Sequence, residues 1–183
     1  MQNLFGEGKR LRYLCQDETR VGLKSETGRV ITNSGVKPVA GVQWQRDNYW
    51  IYGVVEPLSG WHFTAEYECF DSEQFQAFLD ALSLKLGKDI ALIQLDQAKA
   101  HQAHSLHWPE NLIPILQPAH SPQLNPIERL WQFLKAQLQG ENFVNLNALK
   151  ARIQQLLNEL MPEQMASLTS YNFILEALFY AAS

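Results

Sequence analysis

Two short apolar runs that each end in aspartate, Leu11 to Asp17 and Ile90 to Asp96, constrain the fold of this chain more than any other feature. Such runs read as strands buried on both faces, the condition of strands inside a parallel or mixed sheet. What lies between them decides how they meet. Asn48 to Val55 and Trp61 to Tyr67 are rich in aromatic and β-branched residues and flank Glu56-Pro57-Leu58-Ser59-Gly60, a hairpin with its turn at Pro57–Gly60. Ser72 can cap a helix whose apolar residues Phe75, Phe78, Leu79, Leu82 and Leu86 share one face before Gly87 stops it. A strand that follows such a crossover runs parallel to the first, and if it also lies beside it, Asp17 and Asp96 emerge at the same sheet edge.

Residues 18–46 are polar and carry Gly22, Gly28, Gly35, Pro38 and Gly41, the pattern of a long excursion rather than a core element. Leu112 to Leu116 reads as a strand, and Pro114 inside it suits a sheet edge. Asn125 is placed to cap a helix with Pro126 in its first turn and Ile127, Leu130, Trp131, Leu134 and Leu138 as its buried stripe. A further helix follows Asn145, with Leu146, Leu149, Ile153, Leu156, Leu157 and Leu160 on one side. Tyr171 to Ala182 is apolar nearly all round and is expected to pack onto the core. The whole is an α/β chain of one domain over 1–183. It has a mixed five-stranded sheet with an antiparallel hairpin meander and helices on both faces.

The 183 residues suffice to bury roughly 70% of the surface that the unfolded chain exposes. A hydrophobic content of 46% with 19% charged residues argues against disorder, and no apolar run is long enough for a membrane span. Cys15 and Cys69 lie in strand-like runs and read as buried thiols of a cytoplasmic protein. The net charge of −4 is uneven: residues 1–46 hold eight Lys/Arg against four Asp/Glu, and the remainder is acidic. That asymmetry permits a basic stripe facing a polyanion, and equally fits ordinary solvated charges.

Asp17 and Asp96 gain a third acid in Glu128, in the first turn of the helix after Asn125-Pro126. A carboxylate at the end of a buried strand is costly unless something pairs with it, and three together repel one another. Mg²⁺ relieves that repulsion with an all-oxygen shell completed by water and phosphate. Two such ions about 3.5–4 Å apart can activate a hydroxyl and stabilise the leaving oxygen of an in-line displacement at phosphorus. Each acid has an ordinary alternative. Asp17 or Asp96 can cap a turn, and Asn125-Pro126-Ile127-Glu128 is close to a capping box. Glu18 follows Asp17 on an extended strand, so it points to the opposite face and suits a salt bridge. His101, His104 and His107 recur every third residue, but no His-Glu-x-x-His pattern or nearby Cys pair supports zinc. His101 and His120 suit contact with a phosphate or the orienting of a carboxylate.

The three blocks resemble the catalytic domain of DDE transposases of the insertion-sequence-630 branch of the mariner superfamily. Asp17-Glu18 resembles the first block, an apolar strand ending in Asp-Glu. Leu95-Asp96-Gln97-Ala98-Lys99-Ala100-His101 resembles the second, with Gln97 where Asn is usual. Pro118-Ala119-His120-Ser121-Pro122-Gln123-Leu124-Asn125-Pro126-Ile127-Glu128-Arg129-Leu130-Trp131 resembles the third and most specific.

The resemblance implies an RNase H-like fold and two Mg²⁺ or Mn²⁺ ions held by Asp17, Asp96 and Glu128, with Glu18, Gln97 and Asn125 supporting those ligands. It implies hydrolytic release of an element's ends, then attack of the freed 3′-hydroxyl on target DNA, typically at TA. A homodimer or higher assembly on paired ends is expected, as is a cytoplasmic, nucleoid-associated location without membrane contact. Arg20, Lys24, Arg29, Lys37, Lys99, His101, His120 and Arg129 are the candidate DNA contacts. Relatives carry helix-turn-helix modules ahead of this domain, whereas the chain begins almost at the first strand. A separate helix-turn-helix polypeptide, a fragment or a remnant is therefore expected. Two other readings stand beside this one: a nuclease that cuts without joining, and an inactive remnant serving as a self-association or DNA-scaffolding domain.

Overall fold

In the computed structural model, which describes residues 8–24, 33–35, 43–119 and 121–182, the sheet is built around one long central strand. This strand, β1 (Leu11–Gly22), is followed by β2 (Asn48–Val55), β3 (His62–Tyr67), β4 (Ile90–Leu95) and β5 (Leu112–Leu116). Their order across the sheet is β3-β2-β1-β4-β5. β1 and β2 pair antiparallel, as do β2 and β3; β4 runs parallel to both β1 and β5. The expected mixed five-stranded sheet with its hairpin meander is therefore present, and Pro114 sits on the edge strand.

Two neighbours share β1 along its length. β4 pairs with it over Leu11–Cys15, and β2 over Cys15–Gly22. The strand therefore does not stop at Asp17, as its apolar run suggested. It continues five residues into the polar stretch because β2 supplies the missing hydrogen bonds.

Alternation along β1 and β2 feeds two cores. Leu14, Tyr52 and Val54 face helix α1 (Ser72–Leu86) and pack with Phe75, Phe78, Leu79 and Leu82. Cys15, Ile51 and Val55 face the other side, where α2 (Ile127–Gln137), α3 (Leu146–Glu159) and α4 (Pro162–Thr169) cover the sheet. The helices thus lie on both faces. α1 is capped by Asp71, whose carboxylate accepts from the Gln74 amide, and not by Ser72 as its sequence suggested. α3 is capped by Asn145 through the Ala148 amide.

Two other expectations need correction, and one helix had no forecast. α4 had no strong periodic signal; it forms where Pro162 packs beneath the hairpin turn. A Cβ on Gly60, whose φ is +71°, would meet the Pro162 carbonyl oxygen at 1.8 Å. The C-terminal α5 (Asn172–Ala182) does not bury itself all round: Ile174 is buried, but Phe173 and Tyr180 are exposed. Cys15 is a buried free thiol, but Cys69 lies exposed in the turn after β3, its Sγ 2.8 Å from Asp71 Oδ2.

Gly53 has a packing role. It pairs with Asp17 across β1 and β2, and a Cβ there would stand 2.7 Å from Trp131 Cη2 and 3.2 Å from Ile127 Cδ1. Overpacking of this kind costs about 1–3 kcal/mol. Gly53→Ala should therefore lower the urea unfolding midpoint by an amount in that range, with an unchanged m-value. An unshifted midpoint would show that Trp131 does not press on the strand.

Candidate metal centre at the end of β4

The open end of the sheet arises from a difference in strand length. The register pairs Cys15 with Gln94, so Asp17 and Asp96 both lie two residues beyond that pair. β4 ends at Leu95 while β1 runs on. The two aspartates are thus neighbours at the place where the parallel ladder stops.

Asp17 points toward α2 and accepts a hydrogen bond on Oδ2 from the Trp131 indole nitrogen at 3.0 Å. Asp96 sits at the start of the following loop, its side chain 47% exposed. Its Oδ1 accepts from the Ala98 amide at 2.9 Å and lies 2.8 Å from His101 Nδ1. Glu128 lies in the first turn of α2 and is half-buried. Among the described residues no side chain caps this helix: Pro126 occupies the cap position, and the Glu128 amide donates to the Asn125 carbonyl at 3.2 Å. The capping-box alternative for Glu128 therefore does not hold. Asn125 has a different task from the capping expected of it. Its amide group donates to the Gln16 carbonyl at 2.8 Å, tying the α2 approach to β1.

Beneath Asp96 lies a buried ion relay. His101, whose side chain is 1% exposed, joins Asp96 to Glu18, with Nε2 3.0 Å from Glu18 Oε1. Glu18, 4% exposed, also accepts from Gln16 Nε2 at 2.7 Å. The ring packs on Phe75, with centroids 4.3 Å apart, and meets Phe70 edge-on at 5.9 Å. A carboxylate at each nitrogen requires a proton on each, so the ring is an imidazolium. Burial works against that charge, but hydrogen bonds to Asp96 and Glu18 and their charges push the His101 pKa up to about 10. The same contact with His101, followed by the Ala98 amide, lowers the Asp96 pKa against its own partial burial.

The other two acids behave oppositely. Burial, then the charges of Glu18 and Glu128, push the Asp17 carboxyl up to about 8 despite the Trp131 hydrogen bond. Burial also raises Glu128; Lys135 opposes the rise and the Asp96 charge adds to it. The repulsions link Asp17 to Glu128 and Glu128 to Asp96, so Glu128 is electrostatically coupled to both aspartates. Among the described residues no group of three or more His, Cys, Asp or Glu side chains stands close enough to enclose an ion. The chemistry of the donor set nevertheless fits a hard divalent cation, since all three offer oxygen alone and their repulsion is what such a charge removes.

The remaining candidates divide clearly. Arg20, Lys24, Lys99 and Arg129 are exposed, whereas Arg29, Lys37 and His120 lie outside the described residues. His101 is not a surface contact for DNA, because both ring nitrogens are already engaged by carboxylates in the interior. His104 and His107 are exposed. Gln97 donates to the Gln117 carbonyl at 3.0 Å, fastening the loop after Asp96 to the end of β5. Of the basic N-terminal residues, Arg12 pairs with Glu56 at 2.8 Å and stacks on Trp61, and Arg10 pairs with Asp89 at 2.9 Å. These two serve the opposite end of β1 and contribute nothing to a stripe near the acids.

Sequence reasoning missed Trp131 as the donor to Asp17, having placed it in the apolar stripe. A signal existed in Gly53, a residue without a side chain amid β-branched and aromatic neighbours, which marks a close approach.

Residues 12–150 match the family model described as DDE superfamily endonuclease. Over 87 residues, 47% of the chain, it is 32% identical to the uncharacterized protein y4pE/y4sA of Sinorhizobium fredii, spanning 64% of that protein. The fold resembles solved structures of Mos1 transposase. Against the paired-end complex with the left transposon end the TM-score is 0.67 at 16% identity, covering 86% of this chain and 51% of the other. Against the mariner paired-end complex with Mn it is 0.66 at 16% identity, covering 86% and 51%. The chain thus spans about half the length of the Mos1 chains it matches, and its sheet and helices have the RNase H-like arrangement of their catalytic part.

The raised pKa values of Asp17 and His101 make metal-free stability fall with pH. Folded Asp17 holds its proton more tightly than the unfolded chain, so its contribution is complete below about pH 4 and lost as pH rises through about 8. That of His101 is complete below about pH 6.5 and lost through about 10. The melting temperature without metal should fall between about pH 6 and pH 9, and Asp17→Asn should flatten the lower half of that fall. Saturating Mg²⁺ should raise the melting temperature most at the alkaline end. A metal-free melting temperature that climbs over this range would contradict the assignment.

Proposed function

We propose that this chain, which belongs to the DDE superfamily endonuclease family, is the metal-dependent catalytic part of a transposase of the insertion-sequence-630 branch. The observation that carries the reading is the placement of the acids. Asp17 on β1 and Asp96 just past the end of the parallel strand β4 each lie two residues beyond the last pair, Cys15–Gln94. Glu128 sits in the first turn of α2, where its charge and those of the aspartates act on one another. The fold shared with Mos1 structures supports it, because those proteins are described in complexes with transposon ends and with Mn or Mg.

Asp17, Asp96 and Glu128 would hold Mg²⁺ or Mn²⁺, two ions in all. Bound there, such ions supply a nucleophilic oxygen at neutral pH and neutralise charge on the attacking and leaving oxygens at phosphorus. The chain's own residues set the geometry. The Trp131 indole fixes Asp17 from the α2 side, and Gly53 leaves room for that ring. The His101 ring and the Ala98 amide engage Oδ1 of Asp96, so Oδ2 would be the oxygen that takes a ligand. Glu18 keeps His101 charged and in place, the arrangement by which residues behind a metal ligand tune it.

The reaction so assigned is hydrolytic release of an element's end, followed by attack of its 3′-hydroxyl on target DNA at TA. End recognition by helix-turn-helix elements outside this sequence, on an assembly of two or more copies, belongs to the same proposal. Arg20, Lys24, Lys99 and Arg129 are its exposed candidates for phosphate contact.

Mg²⁺- or Mn²⁺-dependent cleavage of an end-bearing duplex, with the chain fused to a recognition module, should drop at least about 100-fold in Asp96→Ala. His101→Gln should lose about 10–100-fold, chiefly in kcat. Precleaved ends should yield joined product; cleavage without joining would reduce the protein to a nuclease. Metal-dependent cutting untouched by the loss of Asp96 would end the proposal.

A further inference from the structure

Beside Glu128 the molecule carries a feature that metal chemistry does not use. An open groove runs between the first turns of α2 and the start of α5, lined by Glu128, Arg129, Tyr171, Phe173 and Glu176 among others. Arg129 lies over the Tyr171 ring, its guanidinium carbon 5.5 Å from the centroid, and its Nε donates to the Tyr171 hydroxyl at 3.3 Å. Tyr171 in turn sits against Phe173, with centroids 5.5 Å apart and planes inclined by 37°. Phe173 is 50% exposed. A cation and two aromatic rings therefore form one continuous surface, wet on its outer side and ending at a proposed metal ligand.

A lone exposed phenylalanine needs no explanation, but this one extends a row of rings along a wall that Glu128 shares. Every nucleobase has a face that stacks on an aromatic ring, and arginine adds a cation–π contact and a phosphate partner. Charge alone does not make this a groove for duplex DNA, since Glu128 and Glu176 outnumber Arg129 along it. Affinity must come mainly from ring faces, which a paired duplex hides and an unpaired strand presents.

We propose that this groove receives an unpaired DNA strand leaving the metal centre, with Tyr171 and Phe173 as the stacking surface for its bases and Arg129 as a phosphate contact. The inference rests on the reading of Asp17, Asp96 and Glu128 as the catalytic acids and adds the path of the strand. Tyr171 and Phe173 are binding residues here.

The test uses the full chain, a fluorescent single-stranded oligonucleotide of about eight nucleotides and the duplex of the same sequence, with Mg²⁺ present. The single strand should bind more tightly than the duplex. Phe173→Ala and Tyr171→Ala should each weaken single-strand binding about fivefold or more, while Phe173→Trp preserves it. The salt dependence should be shallow, near the slope of about −0.7 for one phosphate contact. In the unaltered protein, 5-iodouracil placed in the strand should photocrosslink to Tyr171 or Phe173, located by peptide mass spectrometry. Crosslinks elsewhere, equal affinity in the double alanine variant, or a preference for duplex would each overturn the proposal. Asp96→Ala separates it from the reading beneath it, because that variant should lose cleavage and keep single-strand binding. If cleavage ignores Asp96 while binding still follows Phe173, the groove stands and the catalytic assignment falls.

Discussion

The site depends on an extended backbone sending consecutive side chains to opposite faces. Asp17 and Glu18 are adjacent acids on a strand buried on both sides, and the strand's pleat separates them. Asp17 emerges toward α2, where Trp131 meets it; Glu18 emerges toward α1, where His101 does. One dipeptide thereby supplies a candidate metal ligand on one face and the anchor for the next ligand on the other. A residue slip in β1 would exchange the two faces and dismantle both arrangements.

Charge accounting follows from that geometry. One buried carboxylate and one half-exposed carboxylate beside a single imidazolium make a satisfied group, since Glu18 and Asp96 each find a donor and His101 finds two acceptors. Among the described residues Asp17 and Glu128 have no comparable cation between them, and burial, with the neighbouring acids adding to it, raises their pKa values. The fold tolerates this imbalance at one edge and balances its charges elsewhere, as at Arg12–Glu56 and Arg10–Asp89 at the far end of β1. Uncompensated negative charge confined to one place is what a divalent cation would remove.

Much of this architecture was legible in the chain. The two apolar runs, the hairpin flanking Pro57–Gly60 and the stripe Phe75 to Leu86 gave the strands and α1 because periodicity and turn chemistry act locally. Pro114 on the edge strand followed from its missing donor. Boundaries were less legible. The end of β1 was placed at Asp17 because apolar character stops there, whereas pairing with β2 carries the strand to Gly22. Asp71 displaced Ser72 as a cap, since either can serve and only backbone geometry chooses. α5 was expected to be buried from its composition, yet Phe173 and Tyr180 remain exposed.

The sequence by itself determined which residues could do chemistry: three acids, each tied to the end of an apolar run or the start of a helix, in a strand-strand-helix order. It determined too that Asp17 and Glu18 must diverge, because the period of a strand is two. Only the tertiary structure decided how those acids are held. The Trp131 indole on Asp17, the room left for it by Gly53, and the His101 bridge between Glu18 and Asp96 join residues as many as 114 positions apart. No local propensity encodes such contacts; they exist because packing α1 and α2 on opposite faces of β1 brings distant side chains within hydrogen-bonding reach.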